Sequence, residues 1–207
     1  LALACFGGGS MVSALTLPRV LERVADRAVM LTAATFLAAV LGLFAVTLAA
    51  NGWSYSPAPT TAGWGLLLAT WALLGVGYSA TQTPSGRLLR RSARAEDRPA
   101  VFAAQFALSH ACWLVTYPLA GWLGAALPLD TLAASFAMAT LAATVLAWRL
   151  WPAGTAQALE HDHPDLPADH PHFKEHGARH AHPVVIDDLH VRWPVSKGKR
   201  SLAATSN

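Results

Sequence analysis

Charge is what this sequence has least of. Asp, Glu, Lys and Arg make up 13% of the 207 residues, and the mean hydropathy is +0.36. A soluble domain carries roughly 25% charged residues. The shortage is concentrated in residues 1–151, which rules out an ordinary soluble globule there. Cysteine is nearly absent too. Cys5 and Cys112 each lie inside an apolar run, so no disulfide framework is implied. The chain opens inside an apolar run without a basic leader, so no signal peptide is expected. Leu1 reads as an arbitrary cut, and the chain as the C-terminal piece of a longer protein. No glycine-rich phosphate loop is present, which argues against ATP-driven work. No nucleophile stands beside a base, so no enzyme activity is expected. The arginines cluster between apolar runs, so the net charge of +3 does not point to nucleic acid.

What remains is a set of long uncharged runs. Leu1–Leu17, Ala28–Ala50, Ala62–Gly86, Pro99–Leu127 and Thr131–Trp148 contain no Asp, Glu, Lys or Arg. A hydrocarbon core of about 30 Å asks a helix for roughly 20 such residues. The fold class is therefore all-α, a polytopic membrane protein with five spanning helices in residues 1–151. The stretch Pro18–Arg27 holds five charges and reads as a tight turn between the first two spans. Residues 51–61 form an uncharged turn-rich connection, with Asn51-Gly52 and Pro57-Ala58-Pro59. Residues 87–98 carry Arg87, Arg90, Arg91, Arg94 and Arg98, and read as a basic loop. Leu127-Pro128-Leu129-Asp130 is a minimal hairpin.

Basic residues bias short loops to the cytoplasmic side. The first and third connections are arginine-rich, the second and fourth have none, and Arg149 marks the exit of the last span. This alternation places the basic loops and the C-terminal tail in the cytoplasm and the chain in the cell (inner) membrane. Trp53, Trp64, Trp148 and Trp151 fall near span ends, where amphipathic rings favour the headgroup level.

Polarity inside the spans is sparse and patterned. Gln105, Ser109, Cys112 and Thr116 follow 4-3-4 spacing and share one helical stripe, with His110 and Tyr117 on the adjoining one. Polar groups at membrane depth cost free energy unless they face protein or a watery cavity. Tyr78, Thr81, Gln82 and Ser85 gather toward the end of the third span. Pro84 and the pair Gly75-x-Gly77 lie there too, and are expected to permit a bend. The candidate cavity-lining residues are Tyr78, Gln82, Gln105, Ser109, His110 and Thr116. Helix packing by small and polar residues is the plain alternative.

Residues 152–207 form a tail rich in His and Pro. Eight of the nine histidines lie between His161 and His190. The candidate metal ligands are His161, His163, His170, His172, His176, His180 and His182. Imidazole suits Ni, Zn, Co or Cu, so a transition metal on the tail is expected, though no cofactor is required. The prolines forbid a continuous helix, so the tail is expected to be largely disordered. The apolar segment 184–193 is expected to dock on the cytoplasmic ends of the helices.

Around the first turn, Val24-Ala25-Asp26-Arg27-Ala28-Val29-Met30-Leu31 resembles the degenerate loop pattern found in the second half of major facilitator superfamily transporters. The fuller form is Gly-x-x-x-Asp-Arg-x-Gly-Arg-Arg. Here Glu22 or its neighbours replace the leading Gly, and Ala28-Val29 stands where Gly and a basic residue would be. The resemblance implies helices eight to twelve of a transporter built from two six-helix halves. It implies a conformational latch at Glu22, Arg23, Asp26 and Arg27, and rocker-type alternating access against a missing N-terminal half. The implied function is secondary, proton-coupled efflux of a small molecule or ion. A membrane-anchored His-rich protein that binds or senses metal is the alternative.

Overall fold

The computed structural model describes residues 1–55, 60–151, 158–162, 179–183 and 185–187. Five α-helices account for most of them: α1 (Ala2–Leu21), α2 (Asp26–Asn51), α3 (Thr61–Ser92), α4 (Arg98–Ala126) and α5 (Leu129–Leu150). The helices α2 to α5 are long and apolar enough to cross a membrane. The first helix has a span's length as well, and Gly7–Gly9, Ser10, Ser13 and Thr16 give it small residues that suit close packing.

The ends obey local chemistry. Gly52 closes α2 at φ 64°, a left-handed conformation that glycine adopts without steric cost. The Thr60 hydroxyl caps α3 by accepting from the Gly63 N–H at 3.0 Å. Asp26 opens α2 in its first turn, where the helix dipole favours an anion.

Helix α3 is the hub. It packs along α1 on one side and α2 on another, and α2 in turn packs along α5. Apolar attraction between helices is weak in lipid, so close approach of small residues has to supply the contact. Both Gly9 on α1 and Gly75 on α3 sit where a Cβ would fall about 2 Å from the other helix's backbone. The Ser10 hydroxyl donates to the Gly75 carbonyl at 3.0 Å across the same crossing. Gly77 faces α2, with Leu37 and Phe36 where its Cβ would lie. The pair Gly75-x-Gly77 is thus a packing device: one glycine admits α1 and the other admits α2.

Two small apolar clusters mark the ends of the bundle. Leu17, Leu21 and Val29, with Ala80 against them, lie near the charged turn. Phe44, Ala45, Leu48 and Ala133, with Trp53 and Leu66, lie at the other end. Helix α4 stands apart, touching α3 and α5 only sparsely and burying none of its residues.

Two readings of the chain need correction. The third helix does not stop at Gly86 but runs to Ser92, so Arg87, Arg90 and Arg91 are helical and not in a loop. Leu and Arg are good helix formers, and no Gly or Pro lies between Gly86 and Ser92 to end the helix sooner. In the tail, Ala158–Asp162 (β1) and Arg179–Pro183 (β2) pair as an antiparallel ladder, so these residues depart from the expected disorder. The remaining tail residues, apart from 185–187, lie outside the described ones.

Candidate functional site

The charged turn becomes a site because of which helix ends meet there. The C-termini of α1, α3 and α5 lie together with the N-terminus of α2. A helix C-terminus leaves carbonyls without an intrahelical partner. Here each of the three C-termini receives a donor from another segment.

Asp26 is the centre, with only 3% of its surface exposed. Its Oδ1 accepts from Arg87 Nε at 3.0 Å and from Arg87 Nη2 in a closer contact. Arg91 Nη1 lies 3.6 Å from Oδ2. Arg87 and Arg91 are four residues apart on α3, hence on one face. The remaining Arg87 nitrogen, Nη1, donates to the Leu21 carbonyl at the end of α1, at 3.2 Å. One guanidinium therefore ties α1, α2 and α3. A buried carboxylate without such partners would be costly.

Arg27 turns the other way. Its Nε donates to the Trp151 carbonyl and its Nη2 to the Trp148 carbonyl, each at 3.0 Å. A cation at the carbonyl end of α5 also meets the negative end of its dipole. The third C-terminus, that of α3, is met by the tail: the Ile186 N–H donates to the Arg91 carbonyl at 2.9 Å. Val185 and Ile186 are half-buried there.

Of the residues assigned to the latch from sequence, Asp26 and Arg27 form this junction. Glu22 and Arg23 are exposed and make no ion pair among the described residues. The turn lifts them away from the helix ends, and in water their charges stay hydrated. The residues missed were Arg87 and Arg91. Their signal was the four-residue spacing, which puts both on one helical face at the end of the bundle that holds Asp26. Arg94 and Glu96, 3.9 Å apart and both exposed, form a surface pair that contributes little.

The second region is the open face of α4. Phe106, His110, Trp113 and Tyr117 stack along it as a continuous ladder. Ring centroids are 3.8 Å apart for Phe106–His110, 4.8 Å for His110–Trp113 and 5.9 Å for Trp113–Tyr117. The last pair is nearly parallel at 9°. A shallow groove runs beside the ladder, lined by His110, Ala111, Trp113, Leu114, Tyr117 and Pro118. Of the six cavity-lining candidates, His110 alone borders this groove. Gln105 and Thr116 are exposed on α4, and the Ser109 hydroxyl donates back to the Phe106 carbonyl at 2.9 Å. On α3, Gln82 is exposed, and Tyr78 packs its ring on Phe6 at 5.5 Å.

In the tail, His161 stands opposite His180 in the ladder, and His182 opposite Leu159. His163, His170, His172 and His176 lie outside the described residues.

No curated protein and no solved structure matches the chain. The Major Facilitator Superfamily does, over residues 1–197, which includes every helix, the arginine junction and most of the tail. With four helices fit to cross a bilayer, this is a multi-pass membrane protein, and the chain belongs to the Major Facilitator Superfamily.

Proposed function

We propose that this chain is part of the C-terminal half, helices eight to twelve, of a secondary active transporter that works by alternating access, exporting a small solute in exchange for protons. The arginine junction is its cytoplasmic latch. The observation that carries this reading is the buried Asp26 carboxylate held by two guanidiniums of α3 at the junction of four helix ends. Such a contact has two discrete states, made and broken, which is what alternating access requires of a gate. Arg87 is the moving part: its side chain is about a third exposed while Asp26 is buried, so it can leave into water. When the junction is made, α1, α2, α3 and α5 are fixed together at this end. When Arg87 withdraws, the carbonyl of Leu21 and the carboxylate of Asp26 both open to solvent or to a new donor from the N-terminal half.

All the basic clusters lie at one end of the bundle, and that end faces the cytoplasm. The test is labelling of single cysteines in intact cells, after Cys5 and Cys112 are changed to Ser. A cysteine at Ser56 is expected to react with an impermeant reagent from outside, and one at Ser92 only after permeabilisation. The reverse pattern overturns the orientation and the latch together.

The cargo reading rests on the tail, where His161 and His180 face each other across the ladder. A transition metal among Ni, Co and Zn is the cargo it fits, because neutral imidazole binds these ions. Changing His161, His163, His170, His172, His176, His180 and His182 together to Ser leaves the Ile186 contact in place. In proteoliposomes of the complete transporter, this variant is expected to move Ni, Co or Zn severalfold more slowly and ethidium at an unchanged rate. Equal rates for all four probes would remove the metal from the reading.

A further inference from the structure

The proposed exchange for protons needs a group that carries one, and resting on that reading we propose that His110 takes up the coupling proton, at Nε2. The geometry decides which nitrogen. Nδ1 of His110 lies 2.8 Å from the Phe106 carbonyl oxygen. A carbonyl can only accept, so Nδ1 must carry the hydrogen. In the neutral ring the second nitrogen then presents a lone pair. The described residues give Nε2 no hydrogen-bond partner, and the ring borders the groove on the open face of α4.

The surroundings suit a ring that gains and loses charge. Phe106 and Trp113 flank it at 3.8 and 4.8 Å, tilted by 32° and 49°. Aromatic faces attract a cation without fixing it as a carboxylate would. The Phe106 carbonyl keeps its hydrogen bond in both states, because Nδ1 donates in the neutral ring and in the cation alike. The proton can therefore enter and leave at Nε2 while the ring stays in place. Around it on α4 the other titratable groups are Cys112 and Tyr117. Helices α3 and α5 touch α4 only sparsely, and within their apolar runs the first offers Tyr78 and the second no titratable group. All five runs lack Asp, Glu, Lys and Arg, so no fixed charge at membrane depth competes with this imidazole. A polar ring facing lipid would cost free energy, which places the open face of α4 against protein or a water-filled cavity. The step is an addition to a lone pair: a proton from one side of the membrane joins Nε2, and the same N–H bond breaks toward the other side. Nothing is oxidised or reduced.

The experiment has two arms. In the first, the complete transporter carrying 15N-labelled histidine is placed in lipid bilayers, and the resonances that vanish in His110→Gln are followed with pH. A neutral ring with its hydrogen on Nδ1 and none on Nε2, the second proton then entering at Nε2, is the expected result. The opposite tautomer, or a ring that stays neutral throughout, overturns the proposal. In the second arm, proteoliposomes carry Ni and ethidium as separate probes. His110→Gln is expected to lose at least tenfold of the movement driven by a pH gradient. Monodisperse protein in detergent with the parent's thermal unfolding shows that the variant is folded, so the loss is one of coupling. Gradient-driven movement equal to the parent's overturns the proposal and leaves the transporter reading standing. A parent that moves neither probe overturns the transporter reading itself, and the coupling role falls with it.

Discussion

Gly9→Ala and Gly75→Ala are each expected to dismantle the bundle, while Gly8→Ala, one residue away, leaves it intact. The difference is geometric. A Cβ on Gly9 would sit 1.9 Å from the Ala72 carbonyl oxygen, and one on Gly75 would sit 2.0 Å from the Phe6 carbonyl oxygen. Both obstacles are backbone, which cannot swing aside as a side chain does, so the two helices would have to part by more than an ångström. Parting also breaks the Ser10–Gly75 hydrogen bond and thins the whole α1–α3 contact. Overpacking typically costs about 1–3 kcal/mol, and a backbone-on-backbone clash belongs at or above the upper end. A Cβ on Gly8 meets nothing within 4 Å. Removing a glycine from a helix interior favours the helix by roughly 1 kcal/mol, so Gly8→Ala should be neutral or stabilising. The measurement is thermal unfolding of the purified protein in detergent, with retained monodisperse protein as a second readout. Equal stability of Gly8→Ala and Gly9→Ala would show that the close crossing is not what holds α1 to α3.

Those glycines show where sequence stops being informative. An uncharged run of the right length is a statement about one helix and its solvent, so the helices could be read directly, and apart from the end of α3 the bounds of the runs fall within four residues of theirs. Which neighbour a glycine admits is a statement about two helices. Gly75 and Gly77 therefore looked like loosened backbone when they are in fact the points of closest approach. The end of α3 failed for a different reason. Five arginines in twelve residues suggest a loop, although Arg87 and Arg91 at four-residue spacing, among Leu and Arg, continue a helix. The consequence was functional, because a loop has no fixed face on which to hold Asp26.

The tail and α4 divide in the same way. The His and Pro content of 158–162 and 179–183 carries no strand alternation, so their ladder could not be anticipated. The ring stripe on α4 was half visible. Spacing put His110 and Tyr117 together, and Phe106 and Trp113 belong to the same stripe by the same arithmetic. They went unnoticed because apolar rings in an apolar run are unremarkable until a polar one lies between them. The tautomer of His110 needed coordinates, since it depends on a single distance to a carbonyl.

Changing Asp26 to Asn is expected to abolish the junction while leaving the helices inserted. Asparagine keeps the shape of the side chain but removes the charge that holds Arg87 and Arg91. Arg91, mostly buried, would lose the carboxylate 3.6 Å from its Nη1, and removing one partner of a buried pair costs about 3–5 kcal/mol. Part of that cost can be relieved, because Arg87 is about a third exposed and can turn to water. The loss of the inward-closed state should still approach a hundredfold in its equilibrium, at about 1.4 kcal/mol for each factor of ten. Two further variants separate a latch from a purely structural pair. Arg87→Gln should weaken the junction less than Asp26→Asn, since it leaves Arg91 on the carboxylate. The double variant should cost less than the two changes added, because both remove one contact. The readout is accessibility of a cysteine placed at Val24, beside the junction, to a reagent on the cytoplasmic side, alongside transport in the complete protein. A latch predicts faster labelling and impaired transport together, with membrane insertion unchanged. Full transport and unaltered labelling in Asp26→Asn would reduce the charged turn to a topogenic signal.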